Sequence, residues 1–239
     1  MKINILITSL WLTAVFAGCK ENDIAYYAEA PRLELGVSTS CTFDDTDYFH
    51  AYIADEKVPT KESEITVQLV GYLLEEPRTY CLKTSEAEES EFDAQVTLAN
   101  PYTFPASAAS ATTTIAVACP SRECVSTRKT TRTGAVTLAC DMQNDAHQFG
   151  AGRAENLTAT LSVTLQIYPS KWDPDQWGPY STSKYFFMME TFKATYDQIE
   201  PNQENQVEIN RQYNAYKREH GPLYGDDEES QTEISFPLS

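Results

Sequence analysis

The chain alternates between apolar and polar residues from about residue 32 to residue 168, and this pattern predicts a series of short β-strands. Successive side chains of a strand point to opposite faces of a sheet, so a strand with one buried face has a period of two. The runs are rich in Val, Thr, Ile and Tyr, and Pro, Asn and Gly separate them. The predicted strands are RLELGV (32–37), YFHAYIA (48–54), EITVQLVGYLL (64–74), RTYCLKT (78–84), TTTIAVAC (112–119), GAVTLAC (134–140) and NLTATLSVTLQIYP (156–169).

Seven or so short strands with turn signals predict a mainly β protein, with an antiparallel β-sandwich of the immunoglobulin-like type over residues 32–169. A Glu-Glu-Pro turn precedes residue 78, so we expect RTYCLKT to be the return arm of a hairpin with strand 64–74. In YFHAYIA, Phe49, Ala51 and Ile53 are expected on one face and His50 on the other, solvated face. The stretch 86–111 begins with acidic residues and is expected to be a solvated loop that ends in a short strand end and a turn.

The last seventy residues, 170–239, change to a helical pattern and predict a smaller α-rich segment that packs on the sandwich. In 180–196, a set of apolar residues recurs at i, i+4, i+7 and i+11, with Ser181 or Ser183 as the cap. A buried strand over 185–189 is the alternative for this stretch. In 202–222 a second set shares one helical face, and Gly221-Pro222 ends the helix. The first set is Tyr185, Met189, Phe192 and Tyr196; the second is Ile209, Tyr213, Tyr216 and His220.

One acidic stretch and one largely apolar stretch complete this segment. GDDEES (225–230) is expected to be a solvated acidic loop, and EISFPL (233–238) is expected to return as a final edge strand.

The first nineteen residues have the order of a lipoprotein signal. Lys2 is followed by the apolar run Ile5–Phe16, which is too short to span a bilayer, and by Ala17-Gly18-Cys19. The pattern predicts cleavage after residue 18 and a diacylglycerol on the Cys19 thiol, since several acyl chains together anchor a protein stably. A plain secreted protein with an incidental Cys19 is the alternative.

Residues 19–31 are then expected to be the lipidated cysteine and a polar tether. Lys20-Glu21-Asn22-Asp23 resembles the short charged tag that Bacteroidota use to send lipoproteins to the outer cell surface, and a solvated linker is the alternative. The expected location is therefore the outer membrane, lipid-anchored and exposed at the cell surface, with a periplasmic-facing orientation as the alternative.

The charge of the chain bears on its partners. The formal net charge is −17, and removal of Lys2 with the signal leaves 17 basic residues against 35 acidic ones, or −18. Such a field repels phosphate backbones, so nucleic acid is excluded as an expected partner. Surface solubility is the simplest explanation of the charge.

Five of the six cysteines remain if Cys19 carries lipid, and an odd number cannot all pair within one chain. A small loop closed by Cys119 and Cys124 is one option. No C-x-x-C occurs and the three histidines are far apart, so no metal is expected. The five remaining cysteines are Cys41, Cys81, Cys119, Cys124 and Cys140. The simplest interpretation is that most of these five are small buried residues on strands.

The block WDPDQWGPYSTSKYFFMMETF (172–192) resembles the hallmark of a family of Bacteroidota lipoproteins called domain of unknown function 4843. In that family a Trp follows a strand end, and a Gly-x-Tyr-Ser-x-x-Lys segment, here Gly178–Lys184, leads into an apolar run. The lipobox near Cys19, Tyr26-Tyr27, ITVQLVG (65–71) and the ISFP ending agree, so the resemblance covers nearly the whole mature chain. The cysteines and SRECVSTRKTTRTG (121–134) depart from the pattern.

The resemblance implies an extracytoplasmic lipoprotein with an immunoglobulin-like or Calx-β-like sandwich. Such proteins are commonly encoded beside outer-membrane systems that import glycans or peptides, so an outer-membrane transporter complex is an implied partner. The family supplies no catalytic residues to carry over, and no cofactor is implied.

Trp172, Trp177 and Tyr180 are the candidate ligand-binding residues. Flat aromatic rings stack on the C–H faces of sugars, while Asp173, Asp175 and Gln176 are placed to bond hydroxyl groups. The alternative is that the aromatic residues anchor the helical segment on the sandwich and that DPDQ is a turn.

Asp44, Asp45 and Asp47 form a dense acidic cluster whose oxygen spacing suits calcium, but the Gly and the bidentate Glu of an EF-hand loop are missing. Solvated loop acids are the simpler interpretation. The chain has no G-x-S-x-G, H-E-x-x-H or phosphate-binding glycine loop, so an enzyme is not expected.

The expected function is that of an accessory or binding module of a nutrient uptake system, with glycan as the ligand. The alternatives are a structural or adhesive lipoprotein that contacts only proteins and, third, a hydrolase.

Overall fold

Two β-sheets and a small two-stranded sheet form the core of the fold in a computed structural model, which describes residues 30–54, 57–125, 128–226 and 232–237. The predicted signal peptide, the predicted lipidation site Cys19 and nearly all of the predicted tether lie outside these residues. The described residues form strands β1 Arg32–Leu35, β2 Thr39–Phe43, β3 Thr60–Val70, β4 Arg78–Tyr80, β5 Leu82–Glu86, β6 Val96–Thr97, β7 Tyr102–Phe104, β8 Ser110–Ala118, β9 Thr131–Cys140, β10 Gly150–Ala151 and β11 Thr158–Gln166. The helices are α1 Asp45–Tyr52, α2 Pro174–Trp177, α3 Thr182–Phe192 and α4 Gln203–His220, and short 3-10 turns cover Arg122–Cys124, Ala154–Asn156 and Tyr196–Gln198.

The architecture is a β-sandwich, as the sequence pattern predicts. One sheet has the order β10-β1-β3-β8-β6, the other has the order β2-β11-β9-β5, and β4 pairs with β7. Both sheets contribute to one hydrophobic cluster, so they pack face to face; its innermost members include Leu33, Val67 and Val117 from one sheet and Phe43, Leu138, Leu161 and Val163 from the other. Most pairs are antiparallel, but β1–β10 and β2–β11 are parallel, so the sheets are mixed.

The first strand passes from one sheet to the other at residues 36–38. The Gly36 amide donates to the Thr66 carbonyl at 2.7 Å, and the chain then continues as β2 beside β11. A Cβ on Gly36 would lie 3.0 Å from both the side chain and the carbonyl oxygen of Thr66, so this close approach requires the absence of a side chain.

The predicted strand 48–54 is wrong, because this segment is helix α1. Asp44 caps it: Oδ1 accepts from the amides of Thr46 and Asp47 at 3.0 Å, and the Asp47 carboxylate accepts from the Asp44 amide at 3.0 Å. This reciprocal capping satisfies amides that a helix leaves unpaired. Tyr48, Phe49 and Ala51 are all buried. Two adjacent buried side chains fit a helix and not an alternating strand, and His50 is accordingly on an exposed part of the helix.

The predicted hairpin between 64–74 and 78–84 is also wrong. β3 already has β1 on one edge and β8 on the other, so it offers no free edge to a returning strand. The 78–84 segment divides instead into β4, which pairs with β7, and β5, which pairs with β9 in the opposite sheet. The stretch 86–111 holds β6 and β7 as well as the buried Phe92, and is thus more ordered than expected.

Both C-terminal helices are confirmed, although the first ends at Phe192 and Tyr196 lies in the 3-10 turn that follows, and the buried-strand alternative for 185–189 is wrong. Ser181 is the cap of α3, since its Oγ accepts from the Lys184 amide at 3.2 Å. The predicted edge strand at 233–238 does not form among its described residues: Glu233 makes an isolated bridge to Tyr224, while Ile234 and Phe236 are buried. They complete a second hydrophobic cluster with α2, α3 and α4 that contains Trp177, Met188, Ile199, Ile209 and Tyr213.

The sandwich has two distinct ends. At the N-terminal end, Arg32 of β1 lies between Val70, where β3 finishes, and Gly150, where β10 begins. At the helical end, β3 begins opposite the end of β8, and β2 and β11 lead into the helices. The eleven residues of β3 make the two ends about 35 Å apart at the usual rise of a strand.

The five cysteines beyond Cys19 are free thiols. Cys41, Cys81 and Cys119 are buried, and Cys124 and Cys140 are half-buried, so the loop closed by Cys119 and Cys124 is not formed. Burial raises the pKa of Cys119 to about 12 and that of Cys140 to about 11. Within the described part of the chain, no helix is both long enough and apolar enough to cross a membrane.

Candidate functional site

Trp172 and Tyr180 lie together at the helical end, both half-buried. Their rings meet edge to face at 5.2 Å, and Trp172 also lies 5.2 Å from the Tyr196 ring. The Trp172 indole N–H donates to the Gly178 carbonyl at 2.8 Å, and the Tyr180 hydroxyl donates to the Ile167 carbonyl at the end of β11. The Tyr180 bond links the helical segment to the sandwich, whereas the Trp172 bond holds its ring within the helical segment, where the ring packs against both hydrophobic clusters.

Trp177 does not join them. Its side chain is 1% exposed and belongs to the second hydrophobic cluster, between α2, α3 and α4. The structure therefore does not bring the three candidate residues to one surface, and the Trp177 indole has no face open to a ligand. The neighbouring Asp173 caps α2, because its Oδ1 accepts from the amides of Asp175 and Gln176 at 2.9 and 3.3 Å.

Lys184 is the buried charge that holds this region together. It is 2% exposed, and its Nζ donates to the carbonyls of Trp177 at 2.9 Å and Pro179 at 2.7 Å. The ammonium also lies 5.5 Å from the centre of the Phe236 ring. Burial lowers the pKa of Lys184 from 10.5 to about 8. The residue is the last member of the Gly-x-Tyr-Ser-x-x-Lys segment, and its contacts give that segment a structural role.

The acidic cluster 44–47 is part of the junction between the sandwich and the helices. Asp44 and Asp47 cap α1, and Asp45 Oδ2 accepts from the Tyr185 hydroxyl at 2.5 Å. Tyr185 is buried, and its hydroxyl also accepts from the Tyr196 amide at 3.1 Å. Burial raises the pKa of Asp45 and, more strongly, that of Tyr185. The described residues include no group of three His, Cys, Asp or Glu side chains placed to hold a metal ion.

The surface between α1, α3 and α4 contains a groove that the sequence pattern did not identify. It consists of two adjoining cavities of about 400 and 480 Å³, which share Phe187, Glu190 and Tyr216. We call it the α3–α4 groove. Its apolar half is lined by Tyr48, Val125, Phe186 and Leu223 with Arg122 and Ser183, and its polar half is lined by Thr191, Gln212, Ala215, Glu219 and His220.

Two aromatic rings stand at the border between the halves. Phe187 and Tyr216 meet edge to face at 5.4 Å, and the His220 ring lies 4.7 Å from Tyr216. Both Phe187 and Tyr216 are half-buried, whereas His220 is exposed. Ring surface therefore remains available beside amide, hydroxyl, carboxylate and imidazole groups.

The charges of the groove are largely paired. Glu190 accepts from Arg122 at 2.5 Å through one oxygen and from Lys193 at 3.1 Å through the other. Arg122 comes from the loop after β8 and Glu190 comes from α3, so this pair joins the sandwich to the helical segment across the groove. Concave sites with apolar walls and a few fixed polar groups are the usual form of small-ligand sites.

Sequence reasoning named Tyr216 and His220 only as members of one helical face. In the structure Ile209 and Tyr213 form the buried part of that face, while Tyr216 is half-buried and His220 is exposed, a difference that helical spacing alone does not reveal. Arg122 lies in the loop after β8, and no local signal connects it to Glu190, 68 residues later.

The chain resembles known proteins only in its fold. No family model matches the chain, and no curated protein matches it. Among solved structures, the chain is similar to the apo form of the Calx CBD1 domain, with 13% identity and a TM-score of 0.33, over 59% of this chain and 100% of that one. It is also similar to the E. coli chaperone DraB, with 12% identity and a TM-score of 0.28, over 60% of this chain and 58% of the chaperone. Likenesses of this size bear on the fold alone.

Proposed function

We propose that this protein is an outer-membrane-anchored extracytoplasmic lipoprotein that serves as an accessory binding module of a nutrient uptake system. The observation that carries the proposal is the order of the N-terminus: Lys2, the short apolar run, Ala17-Gly18 and then Cys19. The 172–192 block supports membership of the Bacteroidota family called domain of unknown function 4843. Membership of that family would account for the sandwich.

We propose the α3–α4 groove as the ligand site and neutral glycan as its ligand. The groove combines the half-buried rings of Phe187 and Tyr216 with Gln212, Glu219 and His220, which offer hydrogen-bonding groups to sugar hydroxyls. It lies at the helical end, about 35 Å from the end at which the tether joins the sandwich.

Binding fits the chemistry of this groove better than catalysis does. Glycoside hydrolysis uses two carboxyl groups on opposite sides of the scissile bond. Glu190 already forms ion pairs through both of its oxygens, one with Arg122 and the other with Lys193. Its carboxylate therefore has a structural role. The other carboxylate among the described lining residues of the groove is that of Glu219. It lies at the rim beside His220, with 3.8 Å between Glu219 Oε2 and the imidazole Nε2.

A second candidate function is a lipoprotein that contacts only other proteins. The burial of Trp177 and the apolar half of the groove favour it, since an apolar pocket lined by Tyr48, Phe186 and Leu223 also suits a side chain of a partner protein. The same anchor would then hold the protein beside a transporter.

Replacing Cys19 by alanine is expected to release the protein from membranes, because no thiol remains to take the diacylglycerol. The measurement is membrane fractionation and detergent extraction of the full-length wild-type protein and the variant, produced in the same cells. Cys124→Ala is the matched control, since it removes a half-buried thiol of the folded domain. If Cys19→Ala stays with the membranes as the wild type does, the proposed anchor is wrong.

A further inference from the structure

We infer that the apolar half of the α3–α4 groove binds an aromatic acyl group that the glycan carries as an ester, with the Tyr48 hydroxyl as the donor to the ester carbonyl. This assignment rests on the proposed function and names the chemical class of its ligand. Each half of the groove then holds its own part of the ligand: sugar rings in the polar half and the aromatic ring in the apolar half.

The hydroxyl group of Tyr48 is the first observation. Tyr48 is 2% exposed, and its ring is held against those of Tyr52 and Phe186 at 5.2 and 5.1 Å. In the part of the chain that the structure describes, its Oη forms no hydrogen bond, and this oxygen is not closed off from solvent. Because Tyr48 lines the apolar half of the groove, its hydroxyl opens into that cavity. A largely buried polar group without a partner is destabilising, and a ligand oxygen that accepts from it removes this cost.

The charged neighbours of this hydroxyl place it near the border between the two halves. Burial raises the pKa of Tyr48 to about 12, with smaller and opposite effects of Arg122 and Glu190, which therefore both lie near the hydroxyl. Glu190 lines both halves of the groove. The hydroxyl keeps its proton at neutral pH and can donate it to an acceptor at the crossing between the halves. A carbonyl oxygen in the linkage between sugar and acyl group is such an acceptor.

The walls of the apolar half select an aromatic group. Val125, Phe186 and Leu223 line only this half, and the rings of Phe187 and Tyr216 stand at its border. Aromatic rings pack edge to face or offset against one another, and such pairs contribute more than their buried area alone. The cavity of about 400 Å³ is in the range of pockets that bind small organic ligands, and an acetyl group would leave most of it empty.

The charge of the apolar half selects a neutral group. The two charged side chains among its described lining residues, Arg122 and Glu190, pair with each other at 2.5 Å. A free aromatic carboxylate would be repelled by Glu190 and by the net charge of −17. An ester has no charge, keeps the carbonyl acceptor and joins the aromatic ring to a sugar in the polar half, beside Gln212 and His220.

The test is calorimetry of residues 20–239, which contain the whole compact unit Pro31–Ser239. Neutral plant, host and microbial polysaccharides are each measured in three forms: unmodified, sparsely O-acetylated and sparsely O-benzoylated. Tyr48→Phe removes the hydroxyl and keeps the ring. Tyr168→Phe is the matched control, because Tyr168 is exposed and does not line the groove. Circular dichroism shows that each variant is folded.

We expect the benzoylated form of one polysaccharide to bind at least about tenfold more tightly than its unmodified form, because its ring packs on the aromatic walls. The acetylated form lacks this packing and is expected to bind within about threefold of the unmodified form. In Tyr48→Phe the preference for the benzoylated form is expected to fall about fivefold, the usual effect of one lost neutral hydrogen bond. Tyr168→Phe is expected to keep the full preference.

Binding of a polysaccharide without a preference for its benzoylated form would overturn the inference and leave glycan capture in place. An unchanged preference in Tyr48→Phe, or an acetylated form that binds as tightly as the benzoylated one, would also overturn it. Equal binding of the benzoylated forms of every polysaccharide would overturn the glycan as the carrier and favour an aromatic side chain of a partner protein. Absence of binding in all three forms would overturn the proposed function and the inference with it.

Discussion

Replacing Trp177 by alanine is expected to lower the free energy of unfolding by about 3–5 kcal/mol, the usual cost of truncating a large buried aromatic side chain. Trp177 is 1% exposed and contributes to the cluster formed by α2, α3, α4 and residues 234–236. Its loss leaves a cavity at the centre of that cluster, since α2 is only four residues long and has little other apolar surface with which to close the gap. Urea denaturation followed by far-ultraviolet circular dichroism measures the change.

Val207→Ala is the control for this experiment. Val207 is an exposed aliphatic residue of α4, so its truncation is expected to change the free energy of unfolding by less than about 0.5 kcal/mol. Unchanged stability in Trp177→Ala together with lost ligand binding would contradict the structural role of Trp177 and would return it to the set of ligand-binding residues.

Replacing Lys184 by methionine is expected to lower the free energy of unfolding by about 2–4 kcal/mol at pH 7. The variant keeps most of the volume of the side chain but removes the donors to the carbonyls of Trp177 and Pro179. A buried carbonyl without a donor costs about 1–3 kcal/mol. The loss is partly offset because a buried ammonium group is itself costly, which is the reason that the pKa of Lys184 falls to about 8.

The pH dependence of the same variant gives a sharper test. Lys184 has a pKa of about 8 in the folded state against 10.5 as the ordinary value, so between these pH values the unfolded state binds more protons. The stability of the wild type therefore gains a contribution as the pH rises from 8 towards 10.5, and below pH 8 this contribution is constant. A tenfold change in proton affinity corresponds to about 1.4 kcal/mol, so the gain approaches about 3 kcal/mol at full titration.

Lys184→Met has no such group, and the difference in stability between wild type and variant is expected to widen above pH 8. Subtracting the two curves removes the contributions of the cysteines and tyrosines, which both proteins share. Lys193→Met serves as the control, because Lys193 is an exposed lysine. Parallel curves for Lys184→Met would show that Lys184 is not held in a buried, desolvated position.

The parts of the fold that the sequence predicts are those in which each residue is governed by its local pattern. β3, β8 and β11 alternate between buried and less buried residues, and the predicted strands overlap these three and β9. α4 carries its own start and stop, with Asn202 as the cap and Gly221 after the last turn. These signals act over a few residues, so one sequence is enough to detect them.

The errors have physical causes that can be traced to individual residues. YFHAYIA alternates as a strand would, but the D-x-x-D spacing of Asp44 and Asp47 is a helix-capping signal as well as a pattern typical of acidic ligands or a solvated loop. The pairing of β5 with β9 depends on competition for strand edges across the whole chain, and no local pattern encodes it. The same holds for the Arg122–Glu190 pair and for the contact between Tyr185 and Asp45, which is 140 residues away in sequence.

The sequence identifies the residues that could bind a ligand only in part, because it does not show which of their rings are buried. Composition identifies Trp172, Trp177 and Tyr180 as unusual, but only tertiary packing decides which ring is buried, and here it buries Trp177 and leaves Trp172 and Tyr180 half-buried. Tyr216 shows the opposite error. Its helical spacing predicts a residue that packs in the core, but its ring borders the α3–α4 groove.

The most direct test of the proposed binding role is calorimetry of residues 20–239 against neutral plant, host and microbial polysaccharides, with Tyr216→Ala and Val207→Ala measured alongside. We expect saturable binding to one class of polysaccharide, retained in Val207→Ala and weakened at least about tenfold in Tyr216→Ala, which corresponds to about 1.4 kcal/mol of lost contact. Absence of binding across the whole panel would contradict glycan capture and favour a protein-contacting role. Binding that Tyr216→Ala leaves intact would place the ligand outside the α3–α4 groove.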